Sequence, residues 1–158
     1  MIWIVGGVGN CTLPDLPSGG CPARPLPTQY LTIDPDTGAL EWHDLPGGDR
    51  SLYGHSMVWD AARERMLIYG GTKNLSTGVN ELWALDLSGD DPAAASFVQI
   101  ATTVSVSGQA PAIYFHGSAL MASRDWLVVA GGVRQNYLKS TEATETDTWA
   151  LDLSASPV

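Results

Sequence analysis

The stretch YGHSMVWDAARERMLIYGGTKNLSTGVNELWALDL, residues 53–87, decides how this chain folds. Residues 53–60 form an apolar run that ends in the polar turn 60–64, and a second run, residues 66–69, ends at the doublet Gly70–Gly71. Apolar runs bounded by turn residues are typical of strands. In residues 81–87 the side chains alternate, and a period of two over about seven residues favours a strand over a helix. The stretch therefore predicts three short strands in a row.

The same pattern occurs again later in the chain. HGSALMASRDWLVVAGG (116–132) and DTWALDL (147–153) repeat HSMVWDAARERMLIYGG and ELWALDL, and His116 lies 61 residues after His55. The N-terminal region carries the signature without its first strand, as IWIVGG at 2–7 and QYLTIDP at 29–35. A repeat of this length predicts the architecture of the whole chain before any single strand is assigned.

These repeated residues resemble the kelch repeat. A kelch unit opens near Gly-His-Ser, has an apolar strand that ends in Gly-Gly, continues with an Asn-Asp-x-aromatic strand that ends near Asp, and closes with an outer strand centred on Trp. The middle copy matches the first three parts, but its outer strand offers Phe97, and the third copy ends at its third strand. Trp42 supplies the outer strand of the first copy. The residues that carry the repeat are Gly6, Gly7, His55, Gly70, Gly71, Trp83, His116, Gly131, Gly132 and Trp149.

The resemblance implies an all-β fold, a kelch-type β-propeller segment of about two and a half four-stranded blades. Residues 1–158 form a single segment, with a partial blade at 1–45, a full blade at 53–100 and a partial blade at 113–153. A closed propeller needs about four to eight blades. We therefore expect an incomplete, open propeller whose missing blades belong to a longer parent chain.

Composition narrows the classes of partner. The chain has 158 residues, 44% of them hydrophobic, which is enough to bury a core, and its 17 Gly and 10 Pro suit many short strands. A formal net charge of -9 argues against nucleic-acid binding, which requires clustered Lys and Arg. The apolar start of the chain is too short to span a membrane. The compartment stays open between cytoplasm and secretion.

The sequence predicts no catalytic residue, no metal site and no cofactor. Asp34, Asp36 and Gly38 suggest a calcium loop, but an EF-hand needs Gly at the sixth position, where this chain has Ala39. We interpret these residues as a hairpin turn. His55 and His116 occupy equivalent positions of successive first strands, which suggests a repeated structural hydrogen bond within each blade rather than metal binding.

Cys11 and Cys21 lie in one Pro-rich loop and are the only cysteines of the chain. A disulfide between them would make this loop rigid and would fit a secreted parent, whereas two free thiols would fit a cytosolic one. The sequence leaves both possibilities open.

Loop length indicates where a partner would bind. In an antiparallel sheet, successive connections lie at alternate ends of the strands. One rim therefore carries the short turns 60–65, 122–125 and 34–38, and the opposite rim carries the long loops 8–28, 72–80 and 133–146. Long loops on a rigid repeat scaffold commonly bind partners. We predict a scaffold for protein–protein interaction without chemistry of its own. The alternative is a fragment of a kelch-like propeller enzyme, such as a sugar oxidase or a lyase or isomerase.

Within the loop rim, residues 134–147 are the best candidate for partner binding. They combine an aromatic anchor with acidic side chains, and interfaces draw much of their energy from buried aromatics while charge sets the rate of approach. The predicted binding residues are Tyr137, Glu142, Glu145 and Asp147.

Overall fold

The computed structural model of the chain describes residues 2–6, 27–47, 52–73, 77–100, 103–104, 110–134 and 144–154. These residues form an all-β fold of three antiparallel sheets, none of which closes into a barrel, as the sequence predicts. The described residues contain no α-helix, and therefore none that could cross a membrane. The chain divides into two compact units, Met1–Tyr53 and Gly54–Val158.

Unit one holds a three-stranded sheet. Its strands are β1 (Ile2–Ile4), β2 (Gln29–Ile33) and β3 (Leu40–Asp44), in that order across the sheet. The turn between β2 and β3 is closed by Asp34, whose Oδ1 accepts the backbone N–H groups of Asp36 and Thr37, both at 2.9 Å. These hydrogen bonds lower the pKa of Asp34. The carboxylate that suggested calcium thus stabilises its own turn.

Unit two begins with a four-stranded meander. Its strands are β4 (Ser56–Asp60), β5 (Arg65–Tyr69), β6 (Leu82–Asp86) and β7 (Ser96–Ile100), paired in sequence order. Phe97 lies in β7, the predicted outer strand, opposite Leu85. A single 3-10 turn, Pro92–Ala94, leads into β7 and is capped by the Asp91 side chain. This sheet corresponds to the blade that the sequence predicts to be complete.

The other sheet of unit two also has four strands, although the sequence predicts three. Its strands are β8 (Thr103–Val104), β9 (Gly117–Met121), β10 (Trp126–Ala130) and β11 (Thr148–Asp152), in the order β8-β11-β10-β9. The outer position is taken by β8, which precedes the sheet's other strands in the chain and pairs with Leu151 and Asp152. A two-residue strand has no periodic pattern, so the sequence could not predict it.

Each sheet has two faces that can be numbered from its Gly doublet. Residues two and four positions before the doublet lie on what we call the leading face, and those one and three positions before it lie on the trailing face, because side chains alternate along a strand. Leu67 and Tyr69 are thus on the trailing face of the second sheet, and Leu127 and Val129 are on the leading face of the third.

The core of unit two forms where these two faces meet. The trailing face of the second sheet and the leading face of the third belong to one buried cluster. Burial of a large aliphatic side chain contributes about 1.5–3 kcal/mol, so this cluster is the main source of stability for the unit. The second sheet contributes Val58, Leu67, Tyr69, Leu82, Ala84 and Ile100, and the third contributes Leu120, Leu127, Val129, Trp149 and Leu151.

Candidate functional site

The Gly doublets of unit two position the bases of its long loops. Gly70 and Gly71 have φ angles of 66° and 98°, and Gly131 and Gly132 have 73° and 93°. Glycine adopts this left-handed region without the steric cost that a Cβ brings. In the first of these doublets, the carbonyl of Gly71 accepts the backbone N–H of Val79, which lies at the far end of the loop. We call this end of the sheets the doublet rim.

Both loops are closed at the base by short bridges. Thr72 pairs with Gly78, and Val133 pairs with Thr144. Tyr114, in the link that leads into the third sheet, exchanges two hydrogen bonds with Val133, at 3.1 and 2.9 Å. On the same link, the carbonyl of Ile113 accepts the N–H of Gly71 at 2.8 Å. The link therefore connects the two loop bases and fixes them side by side on the rim.

A buried ion pair closes the loop that the sequence predicts to bind a partner. Glu145 is 5% exposed, and its carboxylate contacts the guanidinium of Arg134 and accepts the N–H of Asp147 at 3.0 Å. Burial tends to raise the pKa of Glu145, but the hydrogen bonds from Asp147 and Arg134 together outweigh burial, and the pKa is lowered. Glu145 therefore stabilises the base of the loop as a carboxylate.

Two of the four predicted binding residues lie in the part of the chain that the structure describes. The structure brings Glu145 and Asp147 together at the loop base, where Asp147 is exposed. Tyr137 and Glu142 lie outside the described residues, as do Cys11, Cys21 and Gly7. Arg134 was not predicted as a site residue, although an Arg and a Glu at opposite ends of one loop are a signal for such a pair.

The histidine at the start of the third sheet joins two sheets. His116 Nε2 lies 2.7 Å from Ser56 Oγ of β4, and its ring stacks edge-on with Tyr69 at a centroid distance of 5.5 Å. Burial is the main cause that lowers the pKa of His116 to about 4, so the ring is neutral near pH 7. The hydrogen bond at His116 therefore runs between neighbouring sheets and not within one blade.

The Ser56–His116 pair was compared with the arrangement of a nucleophile and its base. A serine nucleophile needs a base that is itself held by a third group, usually a carboxylate. Among the described residues, no carboxylate bonds to the His116 ring. The same part of the chain contains no group of three His, Cys, Asp or Glu side chains that could hold a metal ion.

The opposite rim, formed by the short turns, is joined by a charged cluster. Arg63 in the turn of the second sheet binds both carboxylate oxygens of Asp125 in the turn of the third, at 2.9 and 2.5 Å, and also contacts Asp60. Arg65 binds the buried Asp60 at 2.9 Å. An open cavity of about 160 Å³ lies beside this cluster. Both arginines that line it bind carboxylates, and the Arg63–Asp125 contact connects the turns of the two sheets.

Comparisons with models of known protein families and with curated protein sequences found no match to this chain.

Proposed function

We propose that the chain is a kelch-type interaction scaffold whose long loops on the doublet rim bind a protein partner. The observation that carries the proposal is the connection of the two loop bases through the link at Ile113 and Tyr114. A partner that contacts both loops does not have to order their bases, and binding to preorganised loops costs less conformational entropy. The resemblance of the sequence to the kelch repeat also supports an interaction scaffold.

The chemistry of the rim favours a protein rather than a small molecule. Small ligands bind in enclosed, largely apolar cavities with a few polar groups. The cavity described above is small and open, and it extends from Arg63 on the short-turn rim along the second sheet to Ile100. The net charge of -9 favours partners with a basic surface, since opposite charge speeds encounter.

The test replaces the tip of one loop and leaves its base intact. Residues 135–143 are exchanged for a Gly-Ser segment of equal length, so that Arg134, Thr144 and Glu145 still close the loop. A second variant, Tyr137→Ala, removes only the aromatic anchor. The matched control is Glu64→Gln, an exposed position on the short-turn rim. Partners from an extract of the source organism are captured on each variant, identified by mass spectrometry, and remeasured with purified proteins.

The proposal expects a purified partner to lose at least about tenfold in affinity for both loop variants and to keep its affinity for Glu64→Gln. Equal binding by all three variants would remove the doublet rim as the binding surface. Turnover by the unaltered chain on a panel of sugars would instead support the alternative, a fragment of a propeller enzyme.

A further inference from the structure

A tyrosine from the core of unit two reaches the link on the doublet rim. Tyr69 is the last residue of β5 and is completely buried, and its hydroxyl donates a hydrogen bond to the carbonyl of Pro111 at 2.6 Å. Pro111 is buried as well and has no backbone N–H, so the carbonyl is its one polar backbone group. Burial raises the pKa of Tyr69, which keeps the hydroxyl protonated as a donor. The bond therefore joins two buried polar groups that would both lose a partner if it broke.

The link connects this hydrogen bond to both loop bases. Two residues after Pro111, the carbonyl of Ile113 accepts the N–H of Gly71 at the base of one loop. The next residue, Tyr114, exchanges its two hydrogen bonds with Val133 at the base of the other loop. Ile113 and Tyr114 are both completely buried in a packed interior, so neither can move without its neighbour. A displacement of the link would therefore break contacts of both loop bases.

The backbone of the loop 72–80 also packs directly against the link. A Cβ added to Gly78 would lie 2.8 Å from the carbonyl oxygen of Ala112 and 2.9 Å from the nitrogen of Ile113, which is too close for a real side chain. The absence of a Cβ allows the two backbones to touch. The base of this loop therefore fits the link only where the link now lies.

Tyr69 differs from other hydrogen-bond partners of the link in where it is held. Asn80, which binds the carbonyl of Ala110 at 3.4 Å, and Val133 both belong to the loops whose bases the link holds. Gly54, which accepts the N–H of Phe115 at 2.7 Å, lies before the start of β4. Tyr69, in contrast, lies in β5, which is paired with a strand on each side. It therefore fixes the link to the part of the sheet that has the least freedom to move.

We propose that Tyr69 is a positioning residue for both long loops: its hydroxyl holds the link in place, and the link keeps the two loop bases closed. Loss of this one hydroxyl should then loosen both bases together, although Tyr69 belongs to neither loop. The inference extends the proposed function, because a partner would meet two loop bases whose arrangement is fixed by the core. It rests on that function only for its use in binding, since the opening of the loop bases is a property of the chain alone.

The experiment measures native-state amide hydrogen exchange by NMR in the unaltered chain and in Tyr69→Phe. This substitution removes the hydroxyl but keeps the buried ring and its edge-on contact with His116, so the variant should fold. Amides of the central strands β5 and β10, those of Leu67 and Leu127, serve as the reference for global unfolding. The reporters are amides that close the loop bases, those of Gly71 and Val79 in one loop and those of Val133 and Glu145 in the other.

We expect Tyr69→Phe to raise the exchange rates of all four reporter amides by a similar factor. The increase should exceed any change at the reference amides by at least about fivefold, because the buried Pro111 carbonyl loses its donor. Ser56→Ala is the matched control, since it removes another side-chain hydrogen bond between the two sheets, the 2.7 Å bond to His116, and leaves the link intact. It should leave the reporters unchanged relative to the reference.

A second variant loosens one loop base only. Arg134→Ala removes the ion pair with Glu145, so it should raise exchange at Val133 and Glu145 more than at Gly71. For Tyr69→Phe, an equal increase at the reporter and reference amides would mean that Tyr69 acts only as a core residue, and it would overturn the proposal. A change at one loop base alone would overturn it too, and so would no change at either. Partner capture on the loop variants tests the proposed function separately.

Discussion

At the scale of single residues, Gly70 and Gly131 separate two roles of the doublet glycine. Both have left-handed φ angles, but only Gly70 is approached closely by the neighbouring sheet. We expect Gly131→Ala to lower the free energy of unfolding by about 1–2 kcal/mol through backbone strain alone. Gly70→Ala should cost about 1–3 kcal/mol more, because its Cβ would overlap the Ile113 carbonyl. Urea titrations of both variants measure the difference, and equal losses would contradict the close approach.

His116 should make stability depend on pH between about 6.5 and 4. Its folded pKa of about 4 lies below the unfolded value, so the unfolded state takes up the proton first. Stability should therefore be complete above pH 6.5 and fall as the pH decreases. The slope is at most roughly 1.4 kcal/mol per pH unit for one proton, and solvent screening of this half-buried ring reduces it.

The measurement for His116 is a set of urea midpoints at several pH values. His116→Gln should show a smaller loss between pH 6.5 and 4.5 than the unaltered chain does. The control is Ser56→Ala, which removes the hydrogen bond but keeps the buried ring next to His55 and Tyr69, and it should retain the steeper dependence. Identical slopes in all three proteins would show that His116 is not the titrating group.

At the scale of elements, the Arg134–Glu145 ion pair at the base of the loop 134–147 should contribute to the stability of the fold, although it lies on the rim. Arg134→Ala removes the cationic partner of the buried Glu145 carboxylate, which keeps the hydrogen bond from the Asp147 N–H. We expect this change to lower the free energy of unfolding by about 1–3 kcal/mol. The double variant Arg134→Ala, Glu145→Gln should recover part of that loss, because no buried charge then remains. Additive losses in this double-mutant cycle would argue against direct coupling.

The sequence predicted elements best where hydrophobic period and turn residues agreed. The run predicted for residues 81–87 is β6, Leu82–Asp86, and QYLTIDP contains β2, Gln29–Ile33. The first strand was predicted to begin at Tyr53 but begins at Ser56, because Gly54 has a φ of 68° and the chain turns there. The strand β8 was missed, since its pairing comes from a distant segment rather than from a local pattern.

The candidate site was less predictable for a physical reason. Loop length indicated the rim, but burial of a charged residue depends on contacts that no local pattern encodes. Glu145 was interpreted from its charge as part of an acidic surface run, yet it lies buried against Arg134. The Arg63–Asp125 contact between neighbouring turns depends in the same way on how the sheets pack. The turns do carry a repeated signal, Arg63-Glu64 and Arg124-Asp125, which places an acid beside a base in each.

At the scale of the whole molecule, unit two should fold by itself. Every member of its core cluster lies between Val58 and Leu153. We therefore expect residues 54–158 to unfold in one cooperative transition in urea, with dispersed amide resonances before the transition. A broad, non-cooperative transition would mean that its core needs residues 1–53.

The position of β8 has a consequence for synthesis on the ribosome. Thr103–Val104 leaves the ribosome before any other strand of its sheet, yet its partner, Leu151, is made 47 residues later. At about 5–20 residues per second this interval is roughly 2–10 seconds, during which β8 has no strand to pair with. The third sheet therefore cannot form in the order of translation, because β8 can pair only after β11 has been made.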